Sequence, residues 1–142
     1  MRPRPALLAC LALLGAARAA APPALTVQDA WVRVTPGADV AAAYLTLHNP
    51  GPGAAVVIGV RSSVAGHAMI HETSLHNGIS AMRPHERLTL AAGATVVLAP
   101  GGLHVMLGML AHPLAVGEHV PLELLLEGGA TVAVSAVVRP LG

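Results

Sequence analysis

From Leu25 onward, apolar and polar positions alternate in short runs broken by Pro, Gly and Asn, with little sustained 3.6-residue periodicity. A period of two means one face of each segment is apolar, which is the signature of half-buried strands. Strands are expected over Leu25–Val34, Ala41–His48, Ala54–Val60, Ala68–Glu72, Arg87–Leu90, Ala94–Leu98, Leu103–Leu110, Val120–Glu127 and Ala130–Val138. The breaks between them are turn chemistry: Asn49-Pro50-Gly51-Pro52-Gly53, His76-Asn77-Gly78, Pro100-Gly101-Gly102 and Gly128-Gly129. Gly128-Gly129 reads as the two-residue loop of a hairpin. Many short strands at this spacing predict an all-β domain, a sandwich or Greek-key barrel, with no long helix after Leu25. Phe is absent and there is one Trp and one Tyr, so the core is expected to be Leu, Val, Ala and Ile. Trp31 and Tyr44 are expected as its anchors, the alternative being rings that shield a bound ion.

The first residues follow a different pattern. Arg2 and Arg4 precede an apolar run from Ala6 to Ala17, and Ala17-Arg18-Ala19 is an A-x-A-like cleavage site. The run is shorter than the roughly 20 residues a membrane-spanning helix needs. Residues 1–19 are therefore read as a secretory signal peptide and 20–142 as one domain, exported to the periplasm. Leu7-Leu8-Ala9-Cys10 faintly suggests a lipoprotein box, but too few apolar residues precede the cysteine to form the hydrophobic region. Cleavage near Ala19 removes Cys10, the only cysteine, so the mature chain has neither disulfide nor thiolate.

Cleavage also changes the charge. The precursor carries +1; without Arg2, Arg4 and Arg18 the domain keeps five basic against seven acidic residues, a net charge of −2. No basic patch is left for phosphate backbones, which argues against nucleic-acid binding.

The candidate chemistry lies in four residues. His71 is followed by ten residues and Met82, then by twenty-one and His104-Val105-Met106. Two imidazoles and two thioethers can complete a shell around a soft ion, and thioether sulfur selects Cu(I) over Mg or Ca. His104 and Met106 are two apart, so on a strand both leave the same face. Met69 would share a face with His71 and His67 if that segment is extended, and is an auxiliary ligand or a packed methionine. Met109 falls on the face opposite Met106 and is expected in the core. Glu72 and Arg83 adjoin ligands and could orient them.

This spacing resembles the PCuAC family of bacterial periplasmic copper chaperones, with its signature H-x10-M-x21-H-x-M. Ala30-Trp31-Val32-Arg33, Ala43 to Asn49, Ile70 to Thr73 and Leu98 to Leu107 are similar to the family's recurring blocks. The family often has a further methionine two residues before the central one, where this chain has Ser80. The resemblance implies a cupredoxin-like Greek-key β-sandwich. It further implies His71, Met82, His104 and Met106 as Cu(I) ligands, and delivery of copper toward the CuA centre of cytochrome c oxidase or to another copper carrier.

Other classes find less support. There is no nucleophile elbow, HExxH or paired-carboxylate signature, and Pro100-Gly101-Gly102 is not followed by a Lys-Ser/Thr helix, so no enzyme is expected and no catalytic residue is named. A blue-copper electron carrier needs a cysteine ligand, which the mature chain lacks. The remaining alternative is a general periplasmic copper-binding or storage module without a dedicated acceptor.

Overall fold

The computed structural model describes residues 25–141. The expected signal peptide and its cleavage site lie outside the described residues. Ten strands make up all the regular structure described: β1 (Thr26–Val34), β2 (Ala41–His48), β3 (Ala55–Arg61), β4 (Ala65–His76), β5 (Ile79–Pro84), β6 (Leu88–Leu90), β7 (Thr95–Leu98), β8 (Leu103–Leu110), β9 (His119–Leu126) and β10 (Thr131–Arg139). Among the described residues no helix is long and apolar enough to cross a membrane.

The strands are hydrogen-bonded in the order β5-β4-β8-β2-β1-β10-β9-β3-β6, with β7 also on β2. The β1–β10 pair is parallel and its neighbours are antiparallel. β2 is shared along its length: Ala41–Ala43 pair with β8, and Leu45–His48 pair with β7. The sheet closes over an aliphatic core in which Val32, Leu45, Leu47, Val105 and Leu107 meet Val57, Leu90, Val120, Leu124 and Val138. This is the cupredoxin-like β-sandwich expected from the alternation and the family resemblance.

Two hairpins differ from expectation. The strand expected at Ala68–Glu72 runs from Ala65 to His76 and turns back through Asn77-Gly78 into β5, a strand that alternation alone does not reveal. Asn77 (φ 52°) and Gly78 (φ 78°) are both left-handed, as a two-residue type I′ hairpin requires. β5 contains Ser80, Arg83 and Pro84, and five of its six residues are exposed. With so little apolar surface to bury, it forms because the hairpin delivers it to the edge of β4. At the β9–β10 hairpin the loop is longer than expected. The Leu126 N–H donates to the Ala130 carbonyl at 2.8 Å, so Glu127, Gly128 and Gly129 form a three-residue turn.

A bulge in β1 decides where its aromatic residue goes. Thr26, Val27 and Gln28 pair with His48, Leu47 and Thr46, but Trp31 pairs with Tyr44, a register shift of one residue. Asp29 sits at φ 54°, a left-handed conformation that Asp tolerates better than most. Because side chains alternate, one extra residue inverts every later position. Val32 therefore enters the core with no exposure, and Trp31 leaves on the opposite face. The expectation that Trp31 anchors the core is corrected on this ground. Tyr44, paired with Trp31, is buried on that same outward face.

Asn49 is fully buried. Its side-chain amide donates to the carbonyls of Gly53 (2.8 Å), Leu90 (3.0 Å) and Ala91 (3.3 Å), and its Oδ1 accepts the Gly51 N–H (3.0 Å). The turn signal at Asn49 is thus a clamp that binds two loops together.

Candidate metal site

β4 and β8 are the central strands of the site. Their antiparallel register sets Met69 opposite Met106, Ile70 opposite Val105 and His71 opposite His104. Ile70 and Val105 point into the core, so the flanking pairs stand together on the outward face. The pattern has a simple origin. Met-x-His on β4 is the reverse of His-x-Met on β8, and antiparallel pairing aligns a sequence with its reverse. One rung further, the Thr73 N–H donates to the Gly102 carbonyl at 3.1 Å, and across β5 Met82 is the partner of Thr73.

The outward face therefore has three rungs: Met69 with Met106, His71 with His104, and Thr73 with Met82. The structure brings His71, Met82, His104 and Met106 onto one face of three adjacent strands. Met82 is the outlying member, 57% exposed on the edge hairpin, whereas His104 is 4% exposed and His71, Met69 and Met106 are half-buried.

The two imidazole rings meet edge to face, with centroids 5.9 Å apart and planes at 76°. His104 Nδ1 lies 3.1 Å from the Gly102 carbonyl oxygen. A carbonyl can only accept, so the proton of the neutral ring belongs on Nδ1 and the lone pair on Nε2. His104 Nε2 and His71 Nδ1 are buried and have no hydrogen-bond partner among the described residues. Buried polar atoms are nearly always paired, and two unpartnered imidazole nitrogens on adjoining rings fit an absent electrophile. Burial, then the neighbouring His104 and His67, hold the His71 pKa below its ordinary value. That keeps the ring in the neutral form that binds metals.

What could complete the shell follows from the neighbours. Among the described residues no group of three His, Cys, Asp or Glu could hold a metal. The remaining donors on this face are thioethers. Glu72 and Arg83 pair across β4 and β5 on the reverse face; Glu72 instead approaches His85 Nδ1 at 3.4 Å, so neither touches the histidine pair.

Aromatic rings extend the face beyond His104. Tyr44 lies 6.4 Å from His104, Trp31 lies 4.7 Å from Tyr44, and the Arg139 guanidinium lies 5.2 Å from the Trp31 ring. This wall buries His104 and lowers the local dielectric around its free nitrogen. Met109 is on the face opposite Met106, as expected, but it is 68% exposed with φ 53°. It does not belong to the core cluster.

The chain is similar to several known proteins. The family described as "Putative lipoprotein LpqE-like" matches residues 25–138. The "Putative lipoprotein Lxx21020" of Leifsonia xyli subsp. xyli (strain CTCB07) is 37% identical over 114 residues, covering 80% of this chain and 68% of that protein. Among solved structures, Cu(I)-loaded DR1885 of Deinococcus radiodurans is 34% identical, covers 82% of this chain and 75% of its own, and superposes with a TM-score of 0.61. The copper-bound PCuAC domain from PmoF2 superposes with a TM-score of 0.69 at 23% identity, covering 82% of this chain and 93% of its own. That last likeness is one of fold.

Proposed function

This chain belongs to the LpqE-like family, and from that family and its likeness to copper-bound solved structures we propose that it is an exported Cu(I) chaperone. Copper is its cargo, held by His71 Nδ1, His104 Nε2 and the thioethers of Met106 and Met82. The observation that carries the reading is the pair of buried, unpartnered imidazole nitrogens flanked by methionines on one sheet face. Each donor is neutral, so bound Cu(I) leaves a single positive charge. Thioether and imidazole are weaker donors to Cu(I) than thiolate, and an acceptor offering thiolates displaces them one at a time. A CuA-type domain has that chemistry. The half-open face, with Met82 at its rim, leaves the approach that such an exchange needs.

Loading with one equivalent of Cu(I) under anaerobic reductant, followed by copper X-ray absorption, tests the site. Nitrogen and sulfur scatterers are expected; a shell of only nitrogen and oxygen refutes it. Mixing the loaded protein with an apo CuA-type domain tests the role. Growth of the thiolate-copper absorbance is expected. Retention of copper against every thiolate acceptor favours the storage reading instead.

A further inference from the structure

The register contains one donor more than a four-coordinate ion needs. Met69 stands directly opposite Met106 and two residues from His71, on the same face. Directly opposed side chains on antiparallel strands have Cβ atoms about 4.5–5.5 Å apart. The rungs Met69·Met106 and His71·His104 thus form a compact N2S2 quadrilateral on two adjacent central strands. Met82 stands on the same face of a third strand, at the edge, one rung along at Thr73.

Neither Met69 nor Met106 belongs to the hydrophobic core cluster or to the apolar side chains packed against it. Packing therefore does not account for the sulfur at position 69. Met69 also borders a cleft of about 400 Å³ between Ile58–Val60 and Ala68–Ile70.

We propose that Met69 and Met82 are alternative fourth ligands of one Cu(I) site. Met82 closes the site from the edge hairpin, and Met69 replaces it when an acceptor draws Met82 away. The proposal rests on the copper reading above and deepens it. A two-coordinate or three-coordinate Cu(I) exposed by the loss of Met82 would otherwise be open to water and oxidants. With Met69 in reserve, the ion keeps two sulfurs and two nitrogens while its outer side is uncovered. No electron is transferred; one thioether–copper bond forms as another breaks.

The test uses Met69→Leu, Met82→Leu and the double variant, since Met-to-Leu nearly conserves volume. Each single variant should keep two sulfur scatterers in copper X-ray absorption, because the other methionine takes the vacated position. The double variant should show one sulfur and bind Cu(I) about tenfold or more weaker than either single variant. A second readout needs no loss of a residue. In the unaltered protein carrying 13C-methyl methionine, the Met69 and Met82 methyl resonances should both move on Cu(I) loading. In Met82→Leu the Met69 shift should grow. An unmoved Met69 methyl, or Met82→Leu with a single sulfur, overturns the proposal while leaving the copper site intact. Absence of any sulfur scatterer in the unaltered protein overturns the copper reading itself.

Discussion

Met106 and Leu107 are consecutive on β8 and should fail in opposite ways. Leu107 is fully buried in the core, and Leu107→Ala removes three carbons. At about 0.8 kcal/mol per buried methylene, the transfer loss is roughly 2.4 kcal/mol. The cavity left behind raises the total to about 3–5 kcal/mol, which lowers Tm by on the order of 10–20 °C for a domain of this size. Met106 points outward and is half-buried, so Met106→Ala of the apo protein should cost about 1 kcal/mol or less. His104→Ala behaves similarly. It gives up one neutral hydrogen bond to Gly102, worth about 1 kcal/mol, but also removes a buried nitrogen that has no partner. Copper acts in the opposite sense: Leu107→Ala should keep its stabilisation by copper, and Met106→Ala should lose most of it. With free Cu(I) buffered at 100 times the parental Kd, binding stabilises the parent by about 2.7 kcal/mol. If losing one ligand weakens affinity about 100-fold, Met106→Ala gains only about 0.4 kcal/mol at the same free copper. Far-UV circular dichroism melts of apo and Cu(I)-buffered protein measure both quantities. Apo Met106→Ala unfolding as early as Leu107→Ala would place the methionine in the packing and refute the face assignment. A variant stabilised by copper as much as the parent would refute its role as a ligand.

Three further outcomes are expected. Because His71 titrates below its ordinary 6.5, the unfolded chain takes up a proton that the folded chain resists; stability should fall as pH drops below about 6.5 and recover above it. His71→Leu should flatten that slope in denaturant titrations across pH 5–8, and an unchanged slope would assign it to other groups. Asn49→Ala takes the amide donor from the Gly53 and Leu90 carbonyls and the acceptor from the Gly51 N–H, while the Ala91 carbonyl keeps the Ala94 N–H; at about 1 kcal/mol per stranded group this should cost about 3 kcal/mol, and a loss under about 1 kcal/mol in urea melts would show that water replaces the side chain. Intact mass of the exported protein should match a chain beginning within two residues of Ala20 without lipid; an acylated Cys10 at the amino terminus would instead agree with the lipoprotein names of its relatives.

The residues that the structure brings onto one sheet face were legible in the sequence, and so were most of the strands. Period-two alternation is a local property, so β1, β2, β8, β9 and β10 could be placed without knowing their partners. Donor type is local as well, and sulfur and imidazole side chains that could make a soft-metal shell are visible by spacing. What the sequence left open depended on pairing. β5 has almost no apolar face of its own, and only its hairpin with β4 makes it a strand and brings Met82 to the site. A single extra residue at Asp29 turned Trp31 from the core to the outward face, an inversion that alternation cannot register because the bulge is fixed by the partner strand. The reversed Met-x-His and His-x-Met motifs were both readable, yet only antiparallel pairing of β4 with β8 sets methionine against methionine and histidine against histidine. The tautomer of His104 likewise follows from the position of the Gly102 carbonyl. Side-chain chemistry is written residue by residue, whereas register and the choice of face belong to pairs of strands that only the folded chain brings together.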